Sequence, residues 1–211
     1  MSPASTTARR KLICLTGFMG CGKTTVGRLL ARQLGWRFVD LDTRIVEHAG
    51  LSITEIFDRL GEPTFRDIEH ERLLETLGET AAQDTPTVLA LGGGTFAQTR
   101  NADLLSRFGR AEGSVAHALA VVIWLDCPIE NLLQRCVTMA DRPLFRDEAS
   151  FRQLYEQRRP SYEKADYRVE SNAGPRRVVE QILALGILKS PAGTAEPQSA
   201  AFKNDAGRNR A

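Results

Sequence analysis

KLICLTGFMGCGKTTVGRLLARQL, running from Lys11 to Leu34, decides how the rest of the chain is read. Lys11 to Thr16 is short, apolar and closed by glycine, which predicts a buried β-strand. Gly17 to Thr24 then spells G-x-x-x-x-G-K-[ST]. From Lys23 onward, Val26, Leu29, Leu30 and Leu34 fall on one helical face, and Gly35 is placed to stop that helix. A strand, a glycine-rich turn and an amphipathic helix form the context a phosphate-binding P-loop requires. Glycines let backbone N–H groups turn inward around phosphate oxygens. The helix N-terminus adds favourable partial charge. In such a loop Lys23 reaches the β- and γ-phosphates of a nucleotide, and Thr24 can ligate Mg²⁺.

Outward from this stretch, further strands are expected at Trp36–Leu41, Thr87–Leu91, Ala120–Leu125 and, more weakly, Ala165–Ser171. A closing helix is expected over Val178–Leu188. Strands lying between helical segments predict an α/β domain with a five-stranded parallel sheet covered on both faces. The stretch between the second and third strands is long and mostly helical. It opens with the capping-box spacing Ser52-Ile-Thr-Glu55 and continues with an apolar face of Ile53, Ile56, Phe57 and Leu60. This insertion, about 42–85, is a candidate substrate-binding subdomain; plain scaffold is the other reading.

The chain has 211 residues, 42% hydrophobic and 26% charged, which fits one soluble domain at about 11–188 with tails. Its net charge of +2 is too near neutral for a nucleic-acid binder. No apolar run approaches the ~20 residues of a membrane helix. Residues 1–10 lack the apolar stretch of a secretory signal and are read as a flexible tail. Residues 189–211 are rich in Ala, Gly, Pro and polar types and are expected to be disordered. Cys14, Cys21, Cys127 and Cys136 show no C-x-x-C spacing, so free thiols and a cytoplasmic location are expected.

A P-loop names a superfamily rather than a reaction. The third strand runs into Gly92-Gly93-Gly94, where many P-loop ATPases carry an acidic residue, so the metal-side carboxylate must come from elsewhere. Asp40 and Asp42 end the second strand. Two residues apart on a strand, they are expected to share a face. Asp58-Arg-Leu-Gly61 matches the D-x-x-G of a GTPase, but it continues a helical pattern, and no N-K-x-D follows.

The P-loop, Asp40-x-Asp42, Phe65-Arg66-x-x-Glu69, Gly92–Gly94, Arg142-Pro143-Leu144 and Arg158-x-Pro160-x-Tyr162 occur in an order that resembles the shikimate kinase family, over roughly Lys11 to Leu188. The resemblance implies a nucleoside monophosphate kinase-like fold with a lid at about 137–149. It also implies phosphorylation of the 3-hydroxyl of shikimate by ATP. By this resemblance Asp42 contacts the reacting hydroxyl, and Asp40 approaches Mg²⁺ through water beside Thr24. Arg66 and Arg158 hold the substrate carboxylate, and Gly92, Gly93 and Gly94 contact the substrate, with Phe57, Phe65 and Glu69 behind them. Gly17, Met19, Gly20, Cys21, Gly22, Lys23, Thr24 and Thr25 surround the ATP phosphates. Arg142 reaches those phosphates from the lid, and Arg135 and Pro175 flank adenine. Asp42, Lys23 and Arg142 are the implied catalytic set. Mg²⁺ and ATP are the expected cofactor and co-substrate, and ATP and shikimate the expected partners of a monomer without nucleic-acid or membrane contacts. Two departures stand out: the segment at 107–118 is longer than the family pattern, and the lid is slightly short.

The residues themselves support these roles. Phosphoryl transfer depends mostly on positioning and charge stabilisation. The guanidinium fork of arginine suits a carboxylate because it offers two parallel bonds. Arg158 and Arg159 are adjacent, and motif alignment alone selects Arg158. One rival reading is another P-loop metabolite kinase, such as a gluconate kinase. The other is a binding protein without turnover on the same scaffold, which the presence of Lys23, Thr24, Asp42 and Arg142 disfavours.

Overall fold

β1 (Leu12–Thr16) lies at the centre of the sheet, and all five of its residues are buried. The computed structural model describes residues 11–83, 85–108, 119–137 and 147–188, with backbone alone at 136 and 137. The tails, most of the lid with Arg142, and most of the longer segment at 107–118 lie outside the described residues. Five parallel strands follow the order β2-β3-β1-β4-β5, with β2 at Arg37–Asp40, β3 at Thr87–Ala90, β4 at Ala120–Asp126 and β5 at Tyr167–Glu170. Alternate residues of β1 point to opposite faces. Ile13 and Leu15 join one core with Val26 and Leu30 of α1 (Lys23–Leu34) and Val178 and Ile182 of α7 (Pro175–Ala184). Leu12 and Cys14 join the other, with Leu41 and Ile45 of α2 (Leu41–Ala49) and Ile56, Leu73 and Leu77 of α3 (Ile53–Ala82). A sheet buried on both sides needs apolar residues at every position, which is why its strands read as unbroken apolar runs.

Among the described residues the remaining α-helices are α4 (Thr99–Arg107), α5 (Ile129–Val137) and α6 (Glu148–Tyr162), and a 3-10 turn covers Thr95–Ala97. Because the strands are parallel, their carboxyl ends share one edge of the sheet. The P-loop after β1, Asp40 at the end of β2 and the glycine run after β3 therefore meet there.

Three expectations change in the structure. The second strand stops at Asp40 rather than Leu41, and Asp42 lies in the first turn of α2 rather than on the strand. Asp40 ends the strand by capping that helix: its Oδ1 accepts from the backbone N–H groups of Asp42 and Thr43 at 3.1 and 3.4 Å. The two carboxylates thus reach the same cavity by a strand-to-helix turn, not by strand alternation. The helical pattern through Asp58–Gly61 is also interrupted, because Gly61 (φ 81°, ψ 164°) kinks α3 two residues before Pro63. The closing helix starts three residues earlier than expected, at Pro175, which suits a first helical position.

α2 and α3 are fastened by one carboxylate. Glu79 accepts from Arg37 at 2.6 Å and from both guanidinium nitrogens of Arg44, which also bonds Thr76 Oγ1 at 2.8 Å. The bonds from Arg44 and Arg37 hold the Glu79 carboxyl down at about 2, against an ordinary 4.5. A depressed carboxyl stabilises the fold above its unfolded pKa and loses that contribution as pH falls toward the folded one. The full shift would correspond to ~3 kcal/mol. Glu79 is 30% exposed, and solvent screening reduces this to about 1–2 kcal/mol. Glu79→Gln is expected to lower stability by that amount at pH 7. The gap should shrink through the window from 4.5 to about 2, most of it gone by about pH 3. Denaturant melts of both proteins at pH 7 and pH 3 check this; equal gaps at both values would refute it.

Candidate active site

The P-loop is shaped by its glycines and by Lys23. Gly17, Gly20 and Gly22 all hold positive φ, and Gly22 is the N-cap of α1. Lys23 Nζ donates to the carbonyls of Gly17 and Phe18 at 2.8 and 3.1 Å, and its ammonium therefore sits in the bowl of the loop. Cys21 is buried beneath it. Arg135 Nη1 donates to the Gly20 carbonyl at 3.1 Å, which fixes α5 against the loop. At the outer rim Thr24 Oγ1 donates to Asp40 Oδ2 at 2.6 Å. This puts a hydroxyl and a carboxylate oxygen side by side at the first turn of α1. Thr25 is exposed on that turn.

A cavity of about 380 Å³ opens beside this rim. Met19 and Thr24 supply its P-loop side, Asp40 and Asp42 one wall, Phe57, Phe65, Arg66 and Glu69 of α3 another, and Gly92, Gly93, Gly94 and Arg158 the floor. Every substrate-side residue expected from the sequence lines this one space. Pro175 does not line it and stands instead at the first turn of α7. Thr43 and Ile53 also line it; the sequence reading placed Ile53 on the apolar face of the insertion but assigned neither residue to the site.

The two arginines have different electrostatic surroundings. Arg66 is held by Glu69 Oε2 at 3.0 Å and by Glu62 Oε1 at 2.9 Å, and it lies over the Phe65 ring at 5.0 Å. Burial opposes its charge, but Glu69 and Glu62 outweigh that and hold its pKa above the ordinary range. Arg158 is only 8% exposed and lies 5.8 Å from the Phe18 ring centroid. No carboxylate among the described residues forms a salt bridge with it. Burial pushes its pKa down, and the nearby Arg66 charge pushes the same way. A desolvated cation of this kind gains most from an anion entering the cavity. Arg159, by contrast, turns outward to pair with Glu163.

Gly92 and Gly94 are glycines because side chains occupy the space a Cβ would need. At Gly92 that atom would fall 2.6 Å from Asp42 Oδ1 and 2.9 Å from Thr95 Oγ1. At Gly94 it would fall 2.7 Å from Arg66 Nη1. The Asp42 carboxylate and the Arg66 guanidinium therefore rest directly on the backbone of the run. Behind them, the fully buried Glu69 accepts from Thr95 Oγ1 at 2.7 Å. Asn101 Nδ2 donates to the Thr95 carbonyl at 3.2 Å, and His70 Nδ1 meets Asn101 Oδ1 at 2.6 Å. Thr95, Asn101 and His70 were not expected from the sequence. The bonds of Thr95 to Glu69 and of Asn101 to His70 span 26 and 31 residues of chain, and no local spacing signals such links. The pairing of Arg66 with Glu62 and Glu69 was within reach, because i,i+4 and i,i+3 spacings on a helix place side chains together.

Known proteins resemble this chain in sequence and in fold. The family model for shikimate kinase matches residues 19–185. A shikimate kinase of Persephonella marina (strain DSM 14350 / EX-H1) is 37% identical over 173 residues, covering 81% of this chain and 96% of that one. The solved structure of a shikimate kinase from Acinetobacter baumannii in complex with shikimate is 35% identical, with a TM-score of 0.73 over 87% of this chain and 96% of that one. A gluconokinase from Sinorhizobium meliloti 1021 shares the fold, with a TM-score of 0.52 at 18% identity over 84% of this chain and 91% of that one.

Proposed function

We propose, on the premise that this chain belongs to the shikimate kinase family, that it transfers the γ-phosphoryl group of ATP to the 3-hydroxyl of shikimate, giving shikimate 3-phosphate and ADP. The observation that carries this reading is that one cavity brings together a P-loop rim, the Asp42 carboxylate and the desolvated Arg158, with which no carboxylate among the described residues forms a salt bridge. ATP phosphates lie in the P-loop, where Lys23 exchanges its carbonyl partners for phosphate oxygens. The substrate carboxylate bonds Arg158 and the outer edge of Arg66. With the ring held on Gly92–Gly94, the 3-hydroxyl faces Asp42, which orients it and takes its proton as the O–P bond forms. Arg142 adds positive charge at the transferring group, a role that rests on the family resemblance. Arg135 and Pro175 are assigned to the adenine on the same ground.

The adjacent oxygens of Thr24 and Asp40 are hard donors that fit Mg²⁺, with Thr24 as direct ligand and Asp40 acting through water. Among the described residues no cluster of three His, Cys, Asp or Glu side chains forms a metal cage. That accords with an ion held mainly by phosphates and water. When bound, Mg²⁺ would neutralise charge on the phosphates.

We assign the activity to a cytoplasmic monomer; among the described residues no helix is long and apolar enough to cross a membrane. The reading is checked by ADP release with shikimate, gluconate and nucleoside monophosphates in parallel. Shikimate should be fastest. Faster release with gluconate would leave a kinase and overturn the substrate.

A further inference from the structure

Tyr162 is the last residue of α6, one helical turn after Arg158. It is fully buried, and its ring packs beside Trp124 with centroids 6.1 Å apart. Packing alone would be served equally by phenylalanine, so the hydroxyl is the feature that needs a reason. It donates to the carbonyl of Gly93 at 2.5 Å. A phenol has one hydrogen, and that bond uses it. The oxygen's lone pairs are left for a donor, and the Arg158 guanidinium, one turn earlier on the same helix, lies beside the same glycine. Gly93 completes a triangle: a Cβ there would stand 3.5 Å from Arg158 Nη1 and 3.5 Å from the backbone nitrogen of Met19 in the P-loop.

We propose that Tyr162 is a positioning residue for the reaction: its hydroxyl joins the Arg158 guanidinium to the Gly93 carbonyl, setting the carboxylate-binding cation at a fixed height above the glycine run. The inference rests on the proposed function for the identity of the substrate. Its physical content is independent of that reading. Without the hydroxyl, Arg158 loses a neutral partner that holds its fork toward the cavity. The middle peptide of the glycine run loses its anchor to α6. Both effects fall on the substrate side. The P-loop keeps its own bonds through Lys23 and Arg135.

The test is Tyr162→Phe, which keeps the ring in place. The shikimate KM should rise about 5–30-fold, the range set by one or two lost hydrogen-bond equivalents. The KM for ATP should stay within about twofold. Replacement of Tyr162 by 4-aminophenylalanine, which keeps a donor and a lone pair, should restore most of the loss. Tyr155→Phe serves as the control. It removes a hydroxyl two turns earlier on the same helix, where the ring packs edge-on against Phe18 at 5.4 Å, and it should change neither KM. A readout free of substrate is amide hydrogen exchange. The Gly93 and Gly94 N–H groups should exchange about tenfold faster in Tyr162→Phe, with α1 unchanged. If wild type turns over no shikimate, the functional reading fails, and the exchange result still decides the role of Tyr162. The inference is overturned if the two KM values rise by the same factor, if neither rises, or if exchange in the glycine run is unaltered.

Discussion

Asp42→Asn is expected to lower kcat with shikimate by about 10²–10⁴-fold, the usual worth of general-base assistance. Affinity for ATP should be almost unchanged. Asparagine fills the same volume against Gly92 but carries no charge and is a poor proton acceptor. The position of Asp42 in the first turn of α2 sharpens the expectation. Its own backbone N–H is bonded to Asp40, so exchanging the side chain leaves the capped turn and the Thr24–Asp40 contact intact. Any loss then reports on the carboxylate. Steady-state kinetics with ATP and shikimate varied separately provide the measurement. A fall in kcat of less than about tenfold would reduce Asp42 to orienting the hydroxyl.

The second large effect is expected at Arg158. Arg158→Ala should raise the shikimate KM at least tenfold, since a charge-assisted bond contributes roughly 1.5–3 kcal/mol and 1.4 kcal/mol is a factor of ten. The same substitution should leave thermal stability unchanged or raise it, because it removes a buried cation that no carboxylate among the described residues pairs. Arg66→Ala should behave differently. It strands the fully buried Glu69 carboxylate, so loss of affinity should be accompanied by loss of stability of several kcal/mol, roughly 3–5 for a broken buried pair. A carboxamide analogue of shikimate separates binding from folding. Wild type should reject it strongly and Arg158→Ala much less. Equal discrimination by both proteins would mean that Arg158 does not read the carboxylate.

Which parts of this molecule were legible in the sequence follows from the range of the interactions involved. β1, the P-loop and α1 are read from contiguous residues, because strand burial, glycine turn and helix face each leave a local pattern. The start of α2 left a signal that strand alternation obscured. Asp40 closes β2 and caps α2 at once, and an aspartate directly before a helix is a start signal. The kink at Gly61 was masked in the same way, since the apolar period of α3 resumes beyond it. The choice between Arg158 and Arg159 needed the fold. Only packing shows that one faces the cavity while the other pairs with Glu163. The bracket of Glu69, Thr95, Asn101 and His70 joins two elements distant in sequence, as does the bond from Tyr162 to Gly93 across 69 residues, and no periodicity encodes such contacts.

The central claim is that the phosphoryl group goes to one particular hydroxyl of a carboxylate-bearing ring, which Asp42 faces. The direct measurement is phosphorus–proton correlation NMR of the product formed from ATP and shikimate. The account predicts a single phosphate ester whose phosphorus couples to the ring proton on the carbon bearing the 3-hydroxyl. Coupling to a proton at another hydroxyl-bearing carbon, or release of inorganic phosphate without any ester, would contradict it.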